Sequence, residues 1–381
     1  MTRRELLSRV GSAAAGLALG GSARAAAAAP SSPVAVARCR SYDETMTASL
    51  ARMFDQLGGL SRLVKGKTVA IKINLTGDPT ARIGYAGAEI SHWTHPRAIG
   101  AVAHLLSRAG ARRIRILECA YCTAEPLEEF MLRANWDPQL MLGAAPNVEF
   151  ENTNWLGKAR DYAHFRTPGG GLMFDSYDLN PSYRDCDVFV SMAKLKEHAT
   201  CGVTLSMKNL FGITPSTIYG DGAGGKDAPQ PLPQGGRGIL HSGEKMPAGH
   251  KEIDPKSPRR GGYRVPRIVA DLVAVRPIDL AIIEGVASMS GGEGPWNGRG
   301  AGVVRPGLLV AGTNPVCTDA VGAALMGFDP AAASGVAPYN RCDNHLRLAE
   351  QLGIGTCDLK RIEVVGVPIA QAVYPFRRAH S

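Results

Sequence analysis

Short apolar runs rich in β-branched residues recur along the chain and predict buried strands. They cover residues 34–37, 68–73, 114–117, 188–192, 278–283, 308–311 and 362–365. The runs are continuous and do not alternate with polar residues, so they fit strands that are covered on both faces. A sheet of this kind needs helices above and below it.

Helical patterns separate several of these runs. One opens at His95–Pro96 and stops at Gly110, and its apolar face carries Ile99, Val102, Ala103 and Leu106. Others cover 127–133 and 265–275, and another follows Asn314–Pro315. Proline near a helix start and glycine at its end are the usual placements. The alternation predicts an α/β fold with a mostly parallel central sheet and helices on both faces.

Residues 213–262 break this order. They show no sustained periodicity, and glycine and proline interrupt them throughout, as in 222–225 and 229–233. A structureless loop of this length in a compact domain is usually a lid, a binding loop or a disordered segment. We expect this Gly/Pro-rich insertion to act as a lid.

The first residues are predicted to form a targeting signal. Arg3 and Arg4 precede a small-residue apolar stretch at 10–23, and Ala23-Arg24-Ala25 fits a cleavage site. We predict a twin-arginine signal peptide at 1–29, export by the twin-arginine translocation machinery, and a periplasmic or extracellular single α/β domain at 30–381. An ordinary secretory signal or an uncleaved anchor is the alternative. No later run approaches ~18 apolar residues, so we expect no transmembrane segment in the mature chain.

Charge excludes one class of partner. The formal net charge is +9, and the first 25 residues contribute +3 through four arginines and one glutamate, which leaves +6. The densest basic segment, 245–267, is either a solvated loop or an attractor for an anionic substrate. No nucleic-acid-reading module accompanies it, so we expect no nucleic-acid partner.

The eight cysteines do not form a metal-cluster motif. Cys119 and Cys122 make a lone C-x-x-C after a strand, whereas the redox form of this motif begins a helix. A local disulfide, plain free thiols, redox catalysis and metal binding all remain open for this motif. The chain has no ferredoxin-type cysteine run, so we expect no internal iron–sulfur cluster.

Polar residues stand where four apolar strands end. Lys72 and Asn74 end one on a common face, and Glu118, Lys194 and Glu284 end the others. If the chain stays extended past Lys194, then Lys196 and His198 point the same way. Ligand crevices of parallel sheets form at this edge, so we expect these lysines to share one cleft. The catalytic candidates are His198, Lys194 and Glu118.

A lysine-bearing helix is predicted soon after this strand end. Thr204 and Lys208 are four residues apart and share a face, and the positive end of the helix is expected to face the crevice. Lysines beside a helix start suit a phosphate or a carboxylate. The candidate anion-binding residues are Lys72, Asn74, Lys196, Thr204, Lys208 and Asn209.

The sequence leaves open whether the protein binds a divalent metal. The nine histidines and the nearby carboxylates offer candidate ligands, but none has the spacing of a known metal motif. The alternative for the histidines is ordinary hydrogen bonding. The candidate ligands are His95, His241, Glu284, Glu293 and Asp319.

A series of motifs resembles the family known as domain of unknown function 362. The series comprises 69–74, Thr94-His95-Pro96, Glu118, Lys194-Leu195-Lys196-x-His198, 204–212, 291–295, Asp319 and 352–355. The resemblance covers about 69–365. Many members resemble iron–sulfur proteins through an added ferredoxin-like cysteine module, which this sequence lacks, and the resemblance implies no established catalytic residue.

Two hypotheses for function follow. In the first, the protein is an enzyme whose lysines hold an anionic small molecule or cofactor while His198 or a glutamate moves a proton, with or without a divalent metal. In the second, it is a non-catalytic cofactor- or metal-binding or maturation protein, or an iron–sulfur-linked redox accessory. An acid/base pair beneath a lid favours the first hypothesis, and a bare basic cleft favours the second.

Overall fold

The computed structural model describes residues 28–157, 159–223, 235–243, 250–298 and 300–376. The predicted signal peptide falls almost wholly outside these ranges, and so does much of the predicted lid. In the part of the chain that is described, no helix is long and apolar enough to cross a membrane.

Eight strands form one central sheet, in the spatial order β14-β1-β13-β10-β7-β2-β3-β4. Their bounds are β1 Val34–Arg38, β2 Thr68–Lys72, β3 Arg113–Glu118, β4 Val148–Asn152, β7 Val188–Lys194, β10 Leu280–Gly285, β13 Leu308–Gly312 and β14 Val364–Gly366. Strand β13 is antiparallel to both of its neighbours, while the other neighbouring pairs are parallel. The mostly parallel α/β sheet is therefore confirmed.

Three two-stranded ribbons lie outside this sheet. They pair β5 Ala163–Arg166 with β6 Ser176–Leu179, β8 Glu197–His198 with β9 Gly202–Val203, and β11 Ser288–Ser290 with β12 Gly302–Val304. The sequence pattern predicted neither these ribbons nor the edge strand β4. They are too short or too polar to produce a continuous apolar run.

The α-helices of the described residues lie between the strands along the chain. They are α1 Glu44–Gln56, α2 Ser61–Val64, α3 Ala88–Ser91, α4 Pro96–Arg108, α5 Leu127–Arg133, α6 Gln139–Leu142, α7 Ser182–Asp185, α8 Leu205–Asn209, α9 Ser216–Tyr219, α10 Gly238–Ser242, α11 Gly261–Val275, α12 Pro315–Leu325, α13 His345–Gln351 and α14 Ile369–Ala372.

Helices cover both faces of the sheet. Alternate residues of β2 enter different cores: Ala70 packs in a core with α8, α11 and α12, whereas Val69 and Ile71 pack in a core with α1, α4 and α5. This division explains why the strands are apolar at every position, because each side chain meets a layer of helices.

The strand order reverses beside β2. From β2 the chain continues outward on one side to β3 and β4, and then crosses to β7 and β10 on the other side. Such a reversal leaves a crevice beyond the carboxyl ends of the two central strands, where ligands of open α/β sheets bind. The lysine-rich ends of β2 and β7 stand at this point.

Candidate functional site

A small cleft lies at the strand reversal and has a volume of about 80 Å³. All six residues predicted to bind an anion line it, together with two of the three catalytic candidates. These are Lys72, Asn74, Lys196, Thr204, Lys208, Asn209, Glu118 and His198. The sheet edge thus brings residues from three separated parts of the sequence, 72–74, 118 and 196–209, into one place.

An ion pair and two amides form one wall of the cleft. Lys72 Nζ lies 2.7 Å from Glu118 Oε1, and both side chains are buried. Lys72 Nζ also donates to Asn209 Oδ1 at 3.2 Å, and Asn74 Nδ2 donates to the same oxygen at 3.0 Å. Burial raises the pKa of the Glu118 carboxyl, and the neighbouring Lys72 opposes that shift. The Lys72 charge is therefore matched within the wall.

Lys196 is held without a carboxylate partner. Its ammonium donates to the carbonyl oxygens of His92 at 2.6 Å and Glu293 at 2.9 Å. Burial lowers the pKa of Lys196 well below its usual value. An ammonium that meets only neutral carbonyls gains stability when an anion arrives, because burial penalises the isolated charge.

The Lys208 ammonium has fewer polar partners than the Lys196 ammonium. Lys208 is 8% exposed, and its Nζ lies 4.4 Å from the centroid of the Phe211 ring. The ammonium donates no hydrogen bond to any of the described residues. Burial lowers its pKa to about 8. At neutral pH the side chain is therefore mostly protonated, in a place where a protonated amine lacks a counter-charge.

Asp319 fixes the short helix that carries Lys208. The buried carboxylate accepts from the backbone and hydroxyl of Ser206, at 2.9 and 2.6 Å, and from Met207 N at 2.8 Å. Burial raises the pKa of Asp319 to about 7. The expectation that the positive end of this helix faces the crevice is wrong, because Asp319 occupies those donors.

The imidazole ring of His198 is neutral and carries its single N–H on Nε2. The Thr200 backbone N–H donates to His198 Nδ1 at 3.2 Å, so the neutral ring carries its proton on Nε2. Burial, and next the charge of Lys208, lower the His198 pKa well below its usual value. The 3.9 Å approach of His198 Nδ1 to Glu293 is therefore not an ion pair.

Glu293 supplies the anionic edge of the cleft. Its carboxylate accepts from Ala199 N at 2.9 Å and from Trp296 Nε1 at 3.0 Å. Burial works against ionisation, whereas the hydrogen bonds from these two donors lower the pKa of Glu293. The ionised Glu293 only partly balances the cations around it.

Arg237 joins the cleft from the predicted lid segment. Its Nε donates to the Thr214 carbonyl at 2.6 Å, while its Nη2 is buried without a hydrogen-bond partner among the described residues. The sequence did not single out Arg237, because it lies in a stretch without periodicity. With the mostly protonated Lys208, it gives the cleft an excess of positive charge over Glu293.

Lys194 lies outside this cleft. Its Nζ is 2.6 Å from Glu284 Oε2, both side chains are fully buried, and it also donates to the Glu89 carbonyl. Tyr42 donates to Glu284 Oε1 at 2.7 Å and stacks on His95. The expectation that Lys194 shares the cleft with Lys196 and Lys208 is therefore not met. Its charge is matched inside the protein.

The five candidate metal ligands are not assembled into one site. His95 caps α4 by accepting from Arg97 N, and Glu284 pairs with Lys194. His241 Nδ1 contacts the Arg237 carbonyl at 2.8 Å, while Glu293 and Asp319 accept the hydrogen bonds described above. Within the described ranges, no group of three or more His, Cys, Asp or Glu side chains is arranged to hold a metal ion.

The cysteines are free thiols, including Cys119 and Cys122. Cys119 lies at the cleft and contacts Thr153 Oγ1 at 3.2 Å, and burial raises the pKa of its thiol. A raised pKa keeps the thiol protonated and poorly nucleophilic. Cys119 and Cys122 are therefore free thiols and do not form the local disulfide that the sequence left open.

A larger cavity lies on the far side of His198. Its volume is about 460 Å³. His198 lines both spaces, and the glycine-rich segment beyond β11 supplies Glu293 to the cleft and Gly291, Gly292 and Asn297 to the larger cavity. The histidine therefore stands between two solvent-accessible spaces.

The fold and site define an α/β protein with a cationic cleft at the reversal of its sheet. Residues 69–324 match the family described as Domain of unknown function (DUF362). This match covers more than half of the chain, and the chain belongs to that family. It begins at the residue where the motif series begins and ends before 365.

The chain is also similar to a thylakoid-associated protein of Synechocystis sp. The two are 27% identical over 311 residues, which are 81% of this chain and 78% of that protein. The described cleft residues from Lys72 to Glu293 lie within the family match. The site is therefore part of the family region of the chain.

Proposed function

We propose that this protein is an enzyme that binds an anionic small molecule in the lysine-rich cleft and transfers a proton at that molecule. One observation supports this most: Lys208 is a buried, mostly protonated amine without an acceptor among the described residues. Keeping such a charge unmatched costs several kcal/mol, and a bound carboxylate or phosphate offsets that cost.

The roles follow from the chemistry of each side chain. Lys196 and Arg237 orient the anion as hydrogen-bond donors. Lys208, whose pKa is about 8, gains or loses a proton close to neutral pH and is the best-placed proton-transfer group. Neutral His198 contributes its Nε2–H to the bound molecule.

A non-catalytic binding role is the second candidate. Lys72, Glu118, Asn74 and Asn209 are joined to one another by an ion pair and hydrogen bonds, as in a site built only for holding a ligand. The proton-transfer capacity of Lys208 beside His198 favours the enzyme. Replacing Lys208 by Arg separates the two roles, because arginine retains anion binding but cannot exchange a proton near neutral pH.

The binding test compares Lys208→Met with Lys256→Met, since Lys256 is an exposed lysine of the basic segment. Calorimetric titration with inorganic phosphate and with lactate at pH 7 should show at least tenfold weaker binding for Lys208→Met. Binding by Lys256→Met should match the native protein. Little loss of fold is expected, because methionine fills a similar volume without the buried charge. Unchanged affinity in Lys208→Met would refute the site.

Export completes the proposal. Arg3 and Arg4, followed by a weak apolar stretch and a small-x-small site, support translocation by the twin-arginine machinery and a mature protein in the periplasm or outside the cell. The similar protein of Synechocystis sp. is named as thylakoid-associated. Export of a folded protein fits a site that is assembled only when distant strands meet.

A further inference from the structure

We infer that the cleft selects an anion that carries a hydrogen-bond donor next to its charged group, such as a hydroxy acid, an amino acid or a hydrogen phosphate. This inference rests on the proposed function and narrows its substrate class. It is based on a buried hydrogen-bond acceptor, Asn74 Oδ1, whose residue lines the cleft together with Lys196, Lys208 and Arg237.

The orientation of Asn209 is fixed by its partners. Its Nδ2 donates to the Lys72 carbonyl and to Ser191 Oγ, both at 3.1 Å. Its Oδ1 accepts from Lys72 Nζ at 3.2 Å. If the oxygen and nitrogen of this amide were exchanged, the amide oxygen would face the Lys72 carbonyl and the amide NH₂ would face the Lys72 ammonium. Both contacts would be repulsive, so the assignment is unambiguous.

The orientation of Asn74 follows from that of Asn209. Because Asn209 presents an oxygen, Asn74 must present its Nδ2, which donates at 3.0 Å. The Oδ1 of Asn74 then points away from this contact. It is buried and has no hydrogen-bond partner among the described residues.

The residue that carries this unpartnered oxygen lines the cleft. Asn74 is 7% exposed and lines the same cavity as Lys196, Lys208 and Arg237. Arg237 also lines the cleft, and its Nη2 is a donor without a hydrogen-bond partner among the described residues. A ligand that satisfies both atoms accepts from the guanidinium and donates to the amide oxygen. A bare carboxylate or a sulfate does only the first.

The size of the cleft limits the ligand group further. A volume of about 80 Å³ accommodates roughly five water molecules, or an anionic group with a neighbouring hydroxyl or amine. A buried acceptor that the ligand leaves unpaired weakens binding, so the cleft discriminates between anions of equal size.

Two matched pairs of probes test this inference in the native protein at pH 7. Inorganic phosphate carries a P–OH donor that sulfate lacks, and lactate carries a hydroxyl that propionate lacks. Calorimetry should show phosphate and lactate binding roughly tenfold tighter than their partners, the effect of one hydrogen bond in a buried site.

The variant Asn74→Leu locates the discrimination. It should weaken the binding of phosphate and lactate about tenfold more than the binding of sulfate and propionate, so that the discrimination within each pair disappears. Asn147→Leu is the matched control, because Asn147 also has a buried, unpartnered Oδ1 and donates its Nδ2 to a carbonyl, yet does not line the cleft. It should leave all four affinities unchanged.

The outcomes separate this inference from the proposed function. Equal affinities within both pairs in the native protein would overturn the inference alone and would mean that water satisfies Asn74 Oδ1. Discrimination that survives in Asn74→Leu would also overturn it. Failure of all four anions to bind would overturn the proposed function itself.

Discussion

At the scale of single residues, the buried lysines of this site differ in whether their charge is matched. Lys72 and Lys194 each meet a carboxylate, whereas Lys196 and Lys208 do not. The matched pairs stabilise the strand ends, and in the proposed function the unmatched ammoniums attract an anion. The sequence places three of these lysines at or just after strand ends and Lys208 on the following helix, but it does not distinguish the two kinds.

The protonation of Lys208 predicts a pH dependence. Its pKa is about 8, so the ammonium that attracts an anion is present below that pH and is lost above it. The affinity for lactate, whose carboxylate stays ionised throughout, should therefore fall as the pH rises from 7 to 9. Calorimetry at several pH values measures this. Lys208→Arg should show a flatter profile, and an equally steep fall in that variant would assign the effect to another group.

Removing the partner of Lys194 should destabilise the fold. Glu284→Gln leaves a fully buried ammonium without its counter-charge, which costs about 3–5 kcal/mol in such sites. The double variant Lys194→Met/Glu284→Leu should cost less, because it removes both charges together. Urea unfolding gives the free energies. A loss below about 1 kcal/mol for Glu284→Gln would show that the pair is not a structural one.

At the scale of elements, the sequence predicted the sheet but not the whole cleft. The apolar runs around β2, β3, β7 and β10 predicted strands that end in polar residues, and parallel pairing brings those ends together. Arg237 was missed because it follows no periodic pattern. Side-chain partners such as Glu284 for Lys194 arise from packing between distant elements, which one sequence does not reveal.

Asp319 should control the placement of α8. Asp319→Ala leaves the Ser206 and Met207 amides without an acceptor, so we expect a loss of about 2 kcal/mol or more and weaker phosphate binding. Asp329→Ala is the control, since the exposed Asp329 accepts only within its own turn, from Ala331 N. Unfolding and calorimetry provide both readouts. Normal phosphate affinity in Asp319→Ala would show that Lys208 is held independently of this carboxylate.

At the scale of the whole molecule, the site depends on the complete sheet. The strands of that sheet extend from Val34 to Gly366, and the cleft uses residues from β2, β3, the segment after β7, α8 and the start of α10. The cleft therefore needs strands and loops that are far apart in the sequence. The proposed ligand would bind only to the folded chain, which fits the proposed export in the folded state.

Twin-arginine export has a direct test in the native host. Arg3→Lys/Arg4→Lys keeps the charge of the signal but removes its arginine pair, so the protein should accumulate in the cytoplasm unprocessed. Immunoblots of cell fractions, with N-terminal sequencing of the exported form, measure this. Normal export of the double variant would identify an ordinary secretory signal instead.

The most direct test of the central claim is to measure the pKa of the Lys208 ammonium. NMR of labelled lysine side chains gives this pKa, and the spectrum of Lys208→Met identifies the Lys208 signal. The account predicts a value near 8 without ligand and a rise when inorganic phosphate is added, because a bound anion stabilises the protonated amine. A value near the ordinary 10.4 that phosphate leaves unchanged would contradict the account.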